Sequence, residues 1–371
     1  MDKTTTQPKT RSILGLKITG PLIIAGPCSA ETEKQVLSTA QQIASLKKVH
    51  IFRSGIWKPR TRPGSFEGVG SVGLEWLKKA KTETGIPTTV EVANVKHVSE
   101  ALKWGIDFLW IGARTTVNPF SMQEIADSLR GVNIPVLVKN PINADLDLWI
   151  GAIERLQKAG ITQLAAVHRG FSTYDKSQYR NKPMWEIPIE LKRRMPGIPM
   201  ICDPSHICGR TDLLLNVSQT AMDLDYQGLM IETHCNPSLA LSDAKQQVTP
   251  AELGKLLEKI VIRTSSVKDK KFLSTLEDLR DKIDEIDNNL INVLANRMEM
   301  ARAIGVCKKQ NGVTILQNTR WNKIVQGRTK QGVEKQLTAD FMMKLFEIIH
   351  QESIHHQKQV MHGGNVKGKA K

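Results

Sequence analysis

The 371-residue chain is 40% hydrophobic and 24% charged, which is typical of a globular protein large enough for more than one core. It has no apolar run long enough to cross a bilayer and no signal-peptide core, so we expect a cytoplasmic protein with no membrane partner. The formal charge is +15, but no compact basic run is interleaved with aromatics; small anionic substrates are therefore expected rather than nucleic acid. Five cysteines without a Cys-x-x-Cys pair argue against disulfides and leave thiols free for metal.

Eight short apolar or β-branched runs alternate with amphipathic stretches in the first two thirds of the chain. The runs are Leu22–Cys28, Ile51–Trp57, Thr88–Val92, Phe108–Ala113, Pro135–Asn140, Leu164–His168, Met200–Asp203 and Gly228–His234. Eight strand–helix units in about 250 residues predict a (β/α)8 TIM barrel over residues 12–265. An open doubly wound sheet is the alternative, but no glycine-rich dinucleotide motif follows the first run.

A polar linker is predicted at residues 266–271, and the pattern beyond it is helical. Apolar residues recur at helical spacing from Phe272 to about Gln310, where Gly312 ends the pattern. A second helix is predicted over Thr319–Thr329, and a third begins after Thr338, a good N-cap residue.

We therefore predict an all-α three-helix domain over residues 272–360, followed by a disordered tail at 361–371. Its first helix would be roughly 55 Å long at about 1.5 Å per residue. Two short helices cannot cover both ends of so long a helix, and we expect an intertwined dimer.

Four candidate metal ligands follow strands that are neighbours in a closed barrel. Cys28 closes the first strand, His206 follows the seventh, Glu232 lies in the eighth, and Asp243 comes just after it. A thiolate, an imidazole and two carboxylates suit a divalent transition ion. A lone Cys, His or Glu is more often structural than a ligand, so residue types alone leave both interpretations open.

Basic residues surround the same predicted rim. They are Arg53, Lys58, Arg60, Arg62, Arg114, Lys139 and Arg169. Clustered like charges repel one another unless an anion compensates them, and guanidinium groups suit phosphate and carboxylate. This pattern indicates two phosphorylated substrates.

Eight short stretches, in order along the barrel segment, resemble the short type I branch of the 3-deoxy-D-arabino-heptulosonate 7-phosphate (DAHP) synthases. They are Ala-Gly-Pro-Cys-Ser (25–29), Lys-Pro-Arg-Thr-Arg-Pro (58–63), Ile-Gly-Ala-Arg (111–114), Val-Lys-Asn (138–140), His-Arg-Gly (168–170), Asp-Pro-Ser-His (203–206), Ile-Glu-Thr-His (231–234) and Leu-Ser-Asp-Ala (241–244). The resemblance implies condensation of phosphoenolpyruvate with erythrose 4-phosphate to DAHP and phosphate, in the shikimate pathway of aromatic amino-acid biosynthesis.

The resemblance also implies roles for individual residues. The implied metal ligands are Cys28, His206, Glu232 and Asp243, holding Mn2+ in the first instance, with Fe2+, Co2+ or Zn2+ also compatible. The implied phosphoenolpyruvate contacts are Arg53, Lys58, Arg114, Lys139 and Arg169, and the implied erythrose 4-phosphate contacts are Pro59, Arg60 and Thr61. Lys139 is expected to deliver a proton to the new alkoxide. A sister reaction on a similar barrel uses arabinose 5-phosphate, and the stretch at 58–61 favours erythrose 4-phosphate.

The first predicted helix of the C-terminal domain carries two cations on its apolar face. Arg297 and Lys308 lie three turns apart, in phase with Leu290 and Ile304. A buried cation needs a counter-charge, and no acidic residue lies on this stripe. A bound anion would supply that charge; the alternative is that the long side chains extend to solvent.

The segment Leu276–Gln357 resembles the small, intertwined, all-helical chorismate mutases, which convert chorismate to prephenate. The implied ligand-binding residues are Arg280, which crosses to the partner protomer, together with Arg297, Lys308, Arg320, Ser353 and Gln357. Lys308 and Gln357 are the implied catalytic groups at the ether oxygen. The family often has acidic residues near Gln317 and Trp321, which differ here.

Two functions of the helical domain follow from this resemblance. It is either a second enzyme in a bifunctional chain or a regulatory binding and dimerisation module attached to a single synthase. In both cases we expect bound prephenate or chorismate to inhibit the synthase, since the segment ahead of Leu22 is too short for the regulatory domain that some synthases carry there.

Overall fold

The computed structural model describes residues 10–58, 64–174, 177–263 and 269–363, without the side chains of residues 318 and 319. The chain divides into two compact units, residues 1–265 and 266–371. Most of the predicted linker and tail lie outside the described residues. Among those residues, no helix is both long and apolar enough to cross a membrane.

The first unit begins with an antiparallel hairpin that the sequence analysis did not predict. Strand β1 spans Thr10–Ile13 and β2 spans Leu16–Thr19. The two residues between them both have positive φ, +52° at Leu14 and +79° at Gly15, as a tight hairpin turn requires.

Eight parallel strands then form a closed barrel, which confirms the predicted fold class. The strands are β3 (Leu22–Gly26), β4 (Ile51–Arg53), β5 (Thr88–Val92), β6 (Phe108–Ile111), β7 (Val136–Lys139), β8 (Leu164–His168), β9 (Met200–Cys202) and β10 (Gly228–Glu232). Closure occurs where β10 pairs with β3, with Glu232 opposite Gly26. A Cβ on Gly26 would lie 2.1 Å from the Arg53 carbonyl oxygen, so only glycine allows this approach to β4.

Ten helices accompany these strands in the described part of the unit. They are α1 (Glu33–Ser45), α2 (Val72–Thr84), α3 (Val95–Lys103), α4 (Ala113–Thr116), α5 (Pro119–Ser128), α6 (Leu146–Lys158), α7 (Glu186–Arg194), α8 (Pro204–Cys208), α9 (Leu214–Asp223) and α10 (Pro250–Lys259). Side-chain caps begin several of them; Thr249, for example, forms a capping box with Glu252 at the start of α10.

Alternate residues along each strand belong to different cores, as the two-residue period of a strand requires. Ile23 and Ala25 pack against the helices, whereas Leu22 and Ile24 join a separate cluster that includes Trp110. Three hairpin side chains, Ile13, Leu14 and Ile18, are buried in that second cluster. The hairpin therefore packs at the end where the strands begin and leaves the opposite end for chemistry.

The described part of the second unit contains three helices. They are α11 (Lys270–Gln310), α12 (Asn318–Glu334) and α13 (Ala339–His362). The 41 residues of α11 span about 60 Å. Thr338 caps α13 by accepting a hydrogen bond from the Phe341 amide, as its sequence position predicts.

Helix α12 extends five residues beyond its predicted end at Thr329. It passes through Gly332, where a Cβ would lie 2.3 Å from Met342 Cγ. This glycine permits close packing against α13 and does not end the helix.

Only the C-terminal half of α11 is covered within this unit. Met298, Ala301 and Gly305 are buried. Farther toward the N-terminus, the apolar side chains of the same helix remain about half exposed or more: Leu279 52%, Ile283 56%, Ile286 64% and Leu290 52%. The unit by itself therefore presents an apolar stripe, defined here as these four residues.

Candidate functional site

Three predicted metal ligands meet at the carboxyl ends of adjacent barrel strands. The Cys28 sulfur and one carboxylate oxygen each of Glu232 and Asp243 all lie within 4.8 Å of one another. Glu232 Oε1 is buried and accepts no hydrogen bond from any described residue. A buried acceptor beside a thiol and a second carboxylate fits a divalent cation, because one ion would satisfy all three groups.

The fourth predicted ligand, His206 of α8, borders this group. Its Nε2 lies 3.7 Å from Glu232 Oε1, while its Nδ1 lies 2.8 Å from Asp203 Oδ2. Burial lowers the pKa of His206 and outweighs the opposing effect of Asp203. The ring is therefore neutral at neutral pH, which is the form that ligates a metal, and Asp203 orients it.

Asp203 also holds Lys139, the predicted proton donor. The Lys139 ammonium lies 2.8 Å from the same Oδ2 atom, and both side chains are almost fully buried. Burial opposes ionisation of Asp203, but His206 and Lys139 keep its pKa well below the usual range. The Asp203 carboxylate thus positions both His206, a candidate metal ligand, and Lys139, a candidate proton donor.

Arg53, at the end of β4, contacts two of the candidate metal ligands, Glu232 and Cys28. Its Nη1 is 3.2 Å from Glu232 Oε1, its Nη2 donates to the Cys28 carbonyl, and its guanidinium lies 4.8 Å from the Trp110 ring centroid. Burial acts against the charge of Arg53, but Glu232 and other nearby anions raise its pKa above the ordinary value. The pair is ionised and buried, which requires both partners to remain in place.

The Cys28 thiol is protonated in this environment. Burial and the Glu232 carboxylate raise its pKa to about 12, although Lys58 acts in the opposite direction. The sulfur donates to Asp243 Oδ2 at 3.2 Å and accepts a hydrogen bond from Lys58 Nζ. Lys58, predicted to contact phosphoenolpyruvate, therefore lies directly beside the candidate metal ligand Cys28.

Arg180 is a site residue that the sequence analysis missed. It donates to Asp243 Oδ1 at 2.9 Å and to Gln246 Oε1 at 2.7 Å, and Gln246 donates in turn to Glu232 Oε2. Asp243 has a left-handed backbone, φ +51°, and burial opposes its ionisation, but Arg180 and other cations lower its pKa. Arg180 does not directly follow a strand, so its position in the sequence did not indicate a site residue.

The remaining predicted substrate residues of the barrel are partly described. Arg169 is almost fully buried, and burial lowers its pKa to about 10, so it stays charged at neutral pH with Arg114 and Arg180 nearby. Arg114 is exposed at the start of α4. Pro59, Arg60, Thr61 and Arg62 lie outside the described residues.

The second predicted site lies on the covered half of α11. Arg297 Nη1 donates to Ser353 Oγ at 2.5 Å and approaches the Ile349 carbonyl at 3.5 Å, and Lys308 Nζ donates to the Ile315 carbonyl. All these acceptors are neutral. Burial lowers the pKa of Arg297. The cations are therefore held by the fold without an ionic partner among these contacts.

Two further buried polar atoms face this cluster from α13. Gln357 is 8% exposed, and its Oε1 accepts no hydrogen bond from a described residue. Nε2 of His350 is also buried and has no hydrogen-bond partner among the described residues. The His350 ring stacks on Trp321 with centroids 4.0 Å apart. The sequence analysis did not select His350, because a lone histidine on a helix carries no specific signal.

Arg280 lies away from this cluster within one chain, and Arg320 is exposed to solvent. Arg280 is exposed, lies 3.4 Å from Glu277 and precedes Arg297 by 17 positions, which is about 25 Å of helix. Arg320 is exposed on α12. The fold of one chain thus brings together Arg297, Lys308, Ser353 and Gln357, and it leaves Arg280 apart.

Sequence profiles of known families match both units of the chain. The sequence profile described as the DAHP synthetase I family matches residues 12–269, and the profile described as chorismate mutase type II matches residues 279–358. Phospho-2-dehydro-3-deoxyheptonate aldolase of Thermotoga maritima is 33% identical over 226 residues, which cover 61% of this chain and 64% of that enzyme. Its crystal structure superposes with a TM-score of 0.60 at 29% identity, covering 68% of this chain and 72% of that one.

A relative named for a different product also matches. It is 2-dehydro-3-deoxyphosphooctonate aldolase of Variovorax paradoxus, 29% identical over 279 residues, which cover 68% of this chain and 93% of that enzyme. The two profile matches confirm the two family resemblances predicted from the sequence. The chain belongs to the DAHP synthetase I family and continues into a chorismate mutase type II region.

Proposed function

We propose that this chain carries out two reactions of the shikimate pathway in the cytoplasm. The barrel, residues 12–265, condenses phosphoenolpyruvate with erythrose 4-phosphate to DAHP and phosphate, and the helical domain, residues 272–360, rearranges chorismate to prephenate. The observation that carries the first activity is the meeting of one thiol, two carboxylates and a ring of cations at the carboxyl end of the barrel. The octonate-forming relative makes arabinose 5-phosphate the competing acceptor, and the match to the DAHP synthetase I family favours erythrose 4-phosphate.

The proposed metal ligands are Cys28, His206, Glu232 and Asp243, and Mn2+ is the ion that we place there first. When bound, the ion supplies Lewis-acid activation of the aldehyde oxygen. His206 is already neutral and oriented by Asp203, so it needs no rearrangement to ligate. Glu232 needs compensation beyond Arg53, because its Oε1 accepts no hydrogen bond from a described residue.

Phosphoenolpyruvate is bound by the cations around this group. We assign its contacts to Arg53, Lys58, Arg114, Lys139 and Arg169, and those of erythrose 4-phosphate to Pro59, Arg60 and Thr61. Arg169 remains charged despite burial and has few compensating anions, so an anionic substrate stabilises it. Arg180, which pairs with Asp243, adds to the positive potential.

Lys139 is the proposed proton donor of the synthase. Carbon 3 of phosphoenolpyruvate attacks the aldehyde carbon, and Lys139 protonates the oxygen that becomes negative. Water then adds at carbon 2 and phosphate leaves. Asp203 holds the ammonium in place through a contact of 2.8 Å.

In the helical domain, fixed donors replace a metal. Chorismate has two carboxylates, which Arg297 and the partner protomer's equivalent of Arg280 can pair with. Lys308 and Gln357 stabilise the ether oxygen as charge develops, and Ser353 and Arg320 complete the binding site. Arg297 supports this assignment because it is a half-buried cation whose hydrogen bonds to described residues are to neutral oxygens.

The exposed apolar stripe of α11 supports the proposal of a dimer. Covering one Leu or Ile side chain contributes about 1.5–3 kcal/mol, so four in each chain give a substantial driving force. A second copy also brings its Arg280 to the helical site of the first chain, which the Arg280 of the first chain does not reach. We further propose that prephenate or chorismate bound to the helical domain inhibits the synthase.

Removal of metal is expected to abolish only the first reaction. Treatment with a chelator should lower phosphoenolpyruvate consumption at least about 100-fold, and Mn2+ should restore it, because the aldehyde is then activated again. Cys28→Ser should reduce restoration, and Cys307→Ser, an exposed cysteine, should not. Chorismate consumption in the same samples is the internal control; full synthase activity in chelator would contradict the proposed site.

Loss of the proposed proton donor should affect turnover more than binding. We expect Lys139→Met to lower synthase kcat by about 10²–10⁴ and Asp203→Asn by about 10–100, since the amide cannot hold the ammonium and His206 together. Lys103→Met on the exposed end of α3 is the matched control. Near-normal turnover of Lys139→Met in steady-state assays would remove this role.

The two activities should separate in one variant. Arg297→Ala in the full chain is expected to lower chorismate turnover about 100-fold or more and to abolish inhibition by prephenate, while uninhibited synthase turnover stays unchanged. Arg328→Ala, exposed on α12, is the control. If the unmodified chain does not accelerate chorismate loss but responds to prephenate, the helical domain is a regulatory module; if saturating prephenate has no effect, the feedback proposal fails.

A charge within the apolar stripe should dissociate the dimer. Ile286→Glu is expected to shift the sedimentation coefficient to that of a monomer, because burial of an unpaired carboxylate opposes association. Asn288→Glu, about 200° away around α11, adds the same charge on the opposite face and should leave the dimer intact. A monomeric unmodified chain would contradict the proposal.

A further inference from the structure

The partly buried His350 is a polar residue of the helical site to which the proposed function gives no role. It precedes Ser353 by three positions and Gln357 by seven, so all three lie on one face of α13. Its Nε2 is buried without a hydrogen-bond partner in the described ranges, and so is Gln357 Oε1. A buried polar atom without a partner is costly unless a ligand or water satisfies it.

Trp321 of α12 fixes the orientation of this ring. The two rings lie 4.0 Å apart between centroids and are inclined by only 12°. A flat stack of this kind restricts tilting of the imidazole and fixes the plane in which both ring nitrogens lie. His350 is therefore held in position before a ligand binds.

The charged groups that act on His350 are both cations. Burial and then Arg297 and Lys308, both of α11, lower the pKa of the imidazole. Helix α12 faces the ring with Trp321, and the same face of α13 adds Ser353 and Gln357, which are neutral. The ring is therefore neutral at neutral pH in the free protein.

We propose that Nε2 of His350 donates a hydrogen bond to an oxygen of the dicarboxylate bound by the helical domain, and that Trp321 positions the ring for this contact. This inference rests on the proposed mutase function and assigns a further binding residue to that site. The bond requires Nε2–H in the complex, which both the imidazolium and one neutral tautomer provide.

The proposed contact makes binding depend on pH in a defined direction. The two carboxylates of the ligand compensate Arg297 and Lys308, so the pKa of His350 is higher in the complex than in the free protein. Binding then takes up protons at pH values between the two pKa values, and affinity increases as pH falls through the higher one. Carboxyl groups titrate near pH 4 and do not interfere between pH 6 and 8.

Three variants of the full chain test this inference through KM for chorismate between pH 6 and 8. His350→Phe keeps a flat ring on Trp321 but has no nitrogen, and should raise KM about tenfold at pH 6 and remove its pH dependence. His350→Gln offers a donor near the position of Nε2 that does not titrate; it should recover most of the KM without the pH dependence. His355→Gln, exposed on the same helix, should match the unmodified chain.

Calorimetric titration with prephenate in two buffers of different ionisation enthalpy gives a second readout that needs no turnover. We expect proton uptake by the unmodified chain and by His355→Gln, and none by His350→Phe. Unchanged KM and proton uptake in His350→Phe would overturn the inference, as would a His350→Gln variant no better than His350→Phe. An unmodified chain that takes up protons with prephenate but does not convert chorismate contradicts the proposed mutase function and leaves this contact supported.

Discussion

The barrel site depends on buried ion pairs at the carboxyl ends of its strands. Arg53 with Glu232, and Lys139 with Asp203, are almost completely excluded from water. Removing one partner of such a pair costs about 3–5 kcal/mol, because the other charge is left without compensation. The four side chains come from three strands and the residue directly after β9, so barrel closure and site assembly are one event. The pairs also fix where a cation can bind, since Glu232 retains an acceptor that Arg53 does not satisfy by a hydrogen bond.

The two candidate sites differ in their electrostatics. In the barrel, cations alternate with carboxylates, and the mixture suits both a metal ion and phosphorylated substrates. In the helical domain, Arg297 and Lys308 contact neutral oxygens and leave their charge available to a ligand. The isomerisation that we propose uses no acid, base or metal, and fixed donors of this kind are the groups that it needs.

The main patterns of the sequence predicted the architecture well. The eight apolar runs correspond to eight strands, and the N-cap at Thr338 and the end of α11 near Gln310 agree with the structure. The hairpin at Thr10–Thr19 was missed, because two strands of four residues around Leu14 and Gly15 carry too short a pattern to recognise. The end of α12 was placed five residues too early; the helix continues through Gly332, whose close contact with Met342 of α13 is visible only in the folded chain.

Residue types and their order along the chain determined the fold class, the family resemblance and the candidate ligands, since these depend on periodicity and on which residue follows which strand. Tertiary structure alone decided which side chains contact a common atom and which side chains pack against one another. Asp203 contacts Lys139, Arg180 contacts Asp243, and Trp321 stacks on His350, although the members of these three pairs are separated by 29 to 64 positions in the chain. Contacts of this kind depend on barrel closure and helix packing, and no local pattern encodes them.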